Sequence, residues 1–174
     1  MSRLLHTGQV IVDLVMALDT LPVSGGDVLA KSACFEAGGG FNVMAAARRN
    51  GLPVMYLGRH GNGRFGDLAR AAMQAEGVEM ALTASSDKDT GVCVSLTEAS
   101  TERTFISHLG AEGELSAEDL ARVMPQVDDY VYVSGYSLLL EGKAQPLIDW
   151  LLALPRQSWW CSIRGRWSRQ RIRP

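Results

Sequence analysis

Three stretches of the chain carry residue types suited to holding a small polar ligand. The first is Gly8-Gln9-Val10-Ile11-Val12-Asp13, where a carboxylate stands late in an otherwise apolar run. Such a carboxylate is costly unless it is paired or opens onto a cleft. Ligands of open α/β sheets gather at the carboxyl ends of strands, which is where this reading puts Asp13. A strand-end Asp turned to solvent is the plain alternative. The second is Ala37-Gly38-Gly39-Gly40-Phe41-Asn42, running into an Ala-rich helix. Successive glycines let a ligand approach the main chain. Asn42, expected at or near the N-cap, leaves free amides and the positive helix end facing Gly38, Gly39 and Gly40. Its side chain offers a donor and an acceptor, which suits a polyhydroxylated ligand. A flexible turn with an Asn cap would use the same residues. The third is Glu102-Arg103-Thr104-Phe105, where Arg103 on a hairpin either reaches a hydroxylated or anionic substrate or is simply solvated.

A fourth stretch, Gly58 to Asp67, contains a literal G-x-G-x-x-G from Gly61 to Gly66, with Asp87 about the right distance beyond. It raises an NAD- or FAD-type dinucleotide-binding reading. The segment before Asp87 is short and turn-rich, and the strand is not the first in the chain, so the match is weak. No G-x-x-x-x-G-K-[ST] loop is present. His60 and His108 lack the spaced partners of a metal site or a catalytic triad.

These segments need a scaffold. Leu4 to Val15 reads as one buried strand with a glycine inside it. Val28 to Glu36 reads as a short edge or lid strand. Asn42 to Arg49 is helical and ends at Asn50-Gly51, with Pro53 beyond. Val54 to Gly58 is a strand, and Phe65, Leu68, Ala69, Ala72 and Met73 repeat at helical spacing up to Gly77. Val92, Val94 and Leu96 alternate with Cys93, Ser95 and Thr97, and Thr104 to Ser107 returns, giving a hairpin with one polar face. Ser116 to Asp119 has the form of a capping box. Tyr130 to Ser134 is a strand, and Lys143 to Leu154 an amphipathic helix. Alternation of this kind indicates an α/β fold with a mostly parallel sheet flanked by helices. The Val28 region and the hairpin do not fit the alternation and form a small added β-structure.

The composition is that of an ordinary globular chain. No run approaches the ~18 apolar residues of a membrane span. Cys34, Cys93 and Cys161 are scattered, which points to a reducing cytoplasm with unpaired thiols. The net charge of −2 hides an asymmetry. Residues 155–174 carry six arginines, Arg156, Arg164, Arg166, Arg169, Arg171 and Arg173, and no acid. The rest of the chain has a net charge of −8. Trp159, Trp160 and Trp167 fall in the same tail, and this break marks a boundary near residue 154.

In this order the motifs resemble the ribokinase-like (PfkB-type) carbohydrate kinases. The counterparts are Gly8 and Asp13; Gly38, Gly39, Gly40 and Asn42; Gly51; Gly58, Gly61 and Gly66; Thr90-Gly91; and Glu102 to Phe105. The likeness runs from about Leu4 to Leu154. Met44 stands where the family usually has a small residue, and Arg64 where an acid is common. The resemblance implies a Rossmann-like, ribokinase-like sheet with a β-lid from about 18–37 and 91–108. It implies that Asp13 and Asn42 bind substrate hydroxyls, that Gly38 to Gly40 line the sugar site, and that Arg103 and Tyr136 belong to the same substrate-binding cleft. The family reaction transfers the ATP γ-phosphoryl group to a sugar or nucleoside hydroxyl with Mg²⁺. Pairing of two copies through the lid is a further expectation; a membrane partner is not expected.

The family's Asn-x-x-Glu element and late Gly-x-Gly-Asp loop, which carries the catalytic base, do not occur in this sequence. The expectation is therefore a substrate-side half with no catalytic residue and no bound ATP, Mg²⁺ or other cofactor, in effect an inactive or sugar-binding remnant. Residues 155–174 read as a non-family tail. Back-translated and shifted in frame, Trp159-Trp160-Cys161-Ser162-Ile163 gives Val-Val, then Phe or Leu, then Asp, Asn, His or Tyr; Val-Val-Phe-Asp among these would be the buried strand expected after the last helix, so a frameshift is one explanation. A basic arm for nucleic acid is the rival reading and the less expected one.

Overall fold

The computed structural model describes residues 2–85 and 87–154, together with the backbone of strand 159–163. The basic arginines from Arg156 to Arg173 and Trp167, on which the nucleic-acid reading rests, lie outside the described residues.

Two sheets organise the fold. The body sheet has the order β5(Glu79–Met80), β4(Val54–Tyr56), β1(Leu4–His6), β8(Tyr130–Ser134), β9(Trp159–Ile163), and all its neighbours are parallel. The second sheet has the order β3(Ser32–Gly39), β2(Val10–Ala17), β6(Val92–Thr97), β7(Arg103–His108). In it β2 runs antiparallel to β3 and parallel to β6, and β6 and β7 form an antiparallel hairpin. The helices are α1(Phe41–Arg49), α2(Arg64–Ala75), α3(Ala117–Leu120) and α4(Glu141–Leu152).

Alternation in the body strands builds a core on each face. Leu5, Met55, Val131 and Val133 face one way, packing with Leu120 of α3 and Leu147 of α4. Leu4, Val54, Tyr56 and Tyr132 face the other way, with Met44 of α1 and Ala69 and Met73 of α2. This is a sheet covered on both faces, the arrangement that parallel strands require. Strand β8 falls where the sequence places it, and α3 begins with the expected capping box of Ser116 and Asp119.

Three expectations are corrected. Leu4 to Val15 is not one strand: the chain leaves the body sheet at His6 and enters the second sheet at Val10. Thr7 closes the first segment by bonding the Tyr132 carbonyl through both its amide and its hydroxyl. Asp13 is therefore mid-strand in the second sheet rather than at the end of a body strand. The strand expected over Val28 to Glu36 lies later, at Ser32–Gly39, and takes in Gly38 and Gly39. Asn42 lies near the α1 cap as expected: Gly40 holds the cap position and Asn42 stands exposed in the first turn. The hydrogen bond from the Gly40 amide to the Gln9 carbonyl (2.7 Å) and the β2–β3 ladder hold the glycines as ordered strand end rather than loose turn.

Candidate substrate site

Asp13 sits at the centre of the second sheet. Its cross-strand partners are Glu36 on β3 and Cys93 on β6, and Cys93 is paired in turn with Ser107 on β7. Opposed residues share a face, so Asp13, Glu36, Cys93 and Ser107 form one polar row. Gly38 lies on the same face, two residues beyond Glu36 and opposite Ile11. A Cβ on Gly38 would collide with Oδ2 of Asp13, so the carboxylate leans over bare main chain. Only glycine leaves that space, which is the close approach the three-glycine run implied.

Burial, and then the neighbouring Glu36 carboxylate, push the Asp13 carboxyl above the usual carboxylate range; a hydrogen bond from the Cys93 thiol pulls part of the way back. A carboxylate held this way is short of donors. A ligand hydroxyl donates without adding charge, so it relieves that shortage.

The remaining expected residues fall at different distances from Asp13. Gly39 and Gly40 follow Gly38 directly into α1, with Asn42 in the first turn. Tyr136 lies just beyond β8 on the body side. Its neighbour Ser137 donates to Oε1 of Gln9 at 3.3 Å, and Gln9 also accepts from Gly40. The turn holding Tyr136 is thus tied to the base of β2 and to the glycine run. Arg103 stands apart. It pairs with Thr97, in the row of Ala17, four residues along the sheet from Asp13, or ~13 Å of strand. It shares the polar face but not the neighbourhood of the carboxylate.

The Gly61–Gly66 loop has a different use. Oδ1 of Asp89 accepts from the amides of Gly63 (3.1 Å) and Gly66 (2.8 Å), and Oδ2 from Phe65 (3.0 Å). The free amides at the start of α2, which a pyrophosphate would need, are occupied by the chain's own carboxylate. This removes the dinucleotide reading.

Sequence reasoning missed Glu36 and Cys93. Both were legible through the period of two that joins them to Gly38 and to Ser95 and Thr97 on the polar face. It also missed the buried residues Glu112 and Lys143, for which no local pattern gives a signal. Among the described residues, no helix is long and apolar enough to cross a membrane. No group of three or more His, Cys, Asp or Glu there is placed to hold a metal ion.

The pfkB family carbohydrate kinase model matches residues 1–157, so the chain belongs to that family. An uncharacterized sugar kinase of Escherichia coli K12, YegV, is 30% identical over 145 residues, covering 83% of this chain and 44% of the relative. A fructokinase from Vibrio cholerae O395 in apo form superposes with a TM-score of 0.74 at 21% identity, over 95% of this chain and 54% of that one. A ribokinase from Cryptococcus neoformans in complex with ADP gives a TM-score of 0.64 at 23% identity, over 77% of this chain and 42% of that one. The chain thus spans about half the length of the proteins it matches, and the two solved structures carry the likeness of fold.

Proposed function

We propose that this chain is the substrate-binding part of an ATP-dependent carbohydrate kinase, taking a sugar or nucleoside hydroxyl compound against the polar face of the lid sheet. The observation that carries the reading is the Asp13 carboxylate leaning over Gly38, mid-sheet, beside the start of α1. Asp13 accepts hydrogen bonds from substrate hydroxyls, Gly38 to Gly40 give main-chain contact, and Asn42 and Tyr136 bound the ligand on the body side. Arg103 acts only when the outer rows of the lid close over a ligand, which also excludes water.

The chemical step needs groups beyond these. Family membership brings ATP as phosphoryl donor, and the ribokinase neighbour is bound to ADP. Among the described residues no group of three or more His, Cys, Asp or Glu is placed to hold a metal ion, and the amides of the Gly61–Gly66 loop are taken by Asp89. On this reading the chain binds sugar and does not itself transfer phosphate, acting in a reducing cytoplasm. The opposite face of the lid carries a cross-strand row of Leu14, Phe35, Val94 and Ile106, with Phe35 and Ile106 well exposed. That apolar row supports pairing between two copies through the lid.

Calorimetric titration with pentoses, hexoses and nucleosides, run beside an assay coupled to ADP formation, tests the reading. Saturable binding of one of these classes without turnover is expected. Turnover by the pure chain overturns the division of labour, and no binding across the panel overturns the site.

A further inference from the structure

The chain crosses between the two sheets four times, and a glycine stands at each crossing: Gly8 between β1 and β2, Gly40 between β3 and α1, Gly91 before β6, and Gly110 after β7. Three fully buried ionisable side chains meet these points: His6, Glu112 and Lys143. Glu112 accepts from the Gly91 amide at 2.8 Å and from the Gly110 amide at 3.0 Å, gripping both ends of the β6–β7 hairpin. Lys143 of α4 donates to the carbonyls of Gly8 and Glu112, each at 3.3 Å. The His6 ring stacks on Tyr132 and fills the space beside Gly8 and Gly40, where a Cβ would meet it. Nδ1 of His6 accepts from the Gly8 amide at 3.2 Å.

The seam is incompletely bonded. Since Nδ1 is an acceptor, Nε2 of His6 carries the proton, and among the described residues it has no acceptor. Nε2 of Gln9 has none either. Lys143 has three protons for two long bonds. Groups of this kind gain partners when water reaches them.

We infer that His6, Glu112 and Lys143 are positioning residues that staple the lid sheet carrying Asp13 to the body sheet, and that the lid moves by opening this seam. The significance of that motion for substrate rests on the proposed function; the hinge itself does not.

The seam has a pH signature with a defined sign. The charged and titratable groups facing Lys143 and its partners are Glu112 and His6, with Tyr56 close to Glu112. Burial, only partly offset by Glu112, lowers Lys143 to about 7. Burial, then Lys143, lowers His6 to about 3. An opened seam returns both groups to water, where they bind protons more readily, so acid favours opening. Between about pH 7 and 10.5 the Lys143 contribution makes the seam tighter as pH rises, and between 6.5 and 3 the His6 contribution makes it looser as pH falls.

Hydrogen exchange followed by mass spectrometry, without sugar, tests this on the whole chain. Corrected for intrinsic rate, protection of β2, β6 and β7 should rise above pH 7, by up to about tenfold per pH unit for one linked proton. The body strands β1, β4 and β8 should lack this slope. Lys143→Met should abolish the slope. Glu112→Gln should raise exchange at Gly91 and Gly110 at every pH and leave the slope in place. No slope in the parent chain, an equal slope in both sheets, or a slope surviving in Lys143→Met each overturns the hinge. Should Lys143→Met fail to fold, the parent chain's comparison of the two sheets decides alone. Failure here leaves the sugar titrations unaffected, so the two readings fall separately.

Discussion

Asp89 closes the N-terminus of α2 from outside the helix, with Oδ1 2.8 Å from the Gly66 amide. The amides of Gly63, Phe65 and Thr90 complete its shell. Burial works to raise this carboxyl, but the four amide donors outweigh it and hold the pKa below the usual range. The segment reads like a phosphate loop because it is built to hold an anion, and the anion is part of the chain.

Replacing Asp89 by Asn should therefore lower stability by about 1–3 kcal/mol, since the amide nitrogen cannot accept and leaves one backbone N–H unsatisfied, as read by urea unfolding at pH 7. The sign with pH follows from the lowered folded value. The contribution is present above the unfolded value of 3.8 and is lost as pH falls through the lower folded one. The parent and Asp89→Asn curves should converge in acid. The parent chain should also show no saturable binding of NAD or FAD in a fluorescence titration.

Asp13 should behave oppositely. Its folded pKa is raised, so the fold favours the neutral acid, and stability is lost as pH rises through that value. Asp13→Asn should melt at a higher temperature than the parent at pH 8, by differential scanning fluorimetry, with the gap closing below pH 4. Stability gained by removing a strained site group usually comes with lost function, and sugar binding should disappear in the same variant.

Gly38→Ala tests the close approach. The added methyl group meets Oδ2 of Asp13, so the carboxylate must turn away. A cost of about 1–3 kcal/mol is expected, as for overpacking elsewhere. Binding should fall at least as far as in Asp13→Asn, while the circular dichroism spectrum is retained.

Leu147 of α4 is fully buried in the core between the body sheet, α3 and α4. Leu147→Ala should cost about 2–5 kcal/mol in a denaturant titration. Because the second sheet shares little of that core, the apolar rows of β2 and β6 should keep their exchange pattern until global unfolding.

Much of the architecture was legible in the sequence because periodicity encodes it. Val92 to Thr97 showed its two faces, Tyr130 to Ser134 its strand, and Ser116 to Asp119 its cap. The break at Gly8 was not legible. An apolar run passing from one sheet to another keeps its hydrophobic pattern, and only the tertiary bonds of Thr7 to Tyr132 reveal the corner. For the same reason Asp13 was expected at the end of a body strand when it stands mid-strand in the second sheet. Asn42 was legible near the start of α1, although the cap position itself falls to Gly40, which takes it with no side chain at all. Asp89 shows how a motif misleads: the sequence reading weighed Asp87 as a distant ribose ligand, while two residues on Asp89 filled the loop itself. Glu112 and Lys143 lie 31 residues apart and meet only through the fold.

On the proposed function, Asp13 over Gly38 receives a sugar-like ligand. The most direct measurement is calorimetric titration of the parent chain and Asp13→Asn with the same pentose, hexose and nucleoside panel at pH 7. The account predicts saturable binding of at least one polyhydroxylated compound by the parent, and its loss in an Asp13→Asn protein whose melting temperature is unchanged or raised. Equal binding by both proteins, or none by the parent, would contradict it.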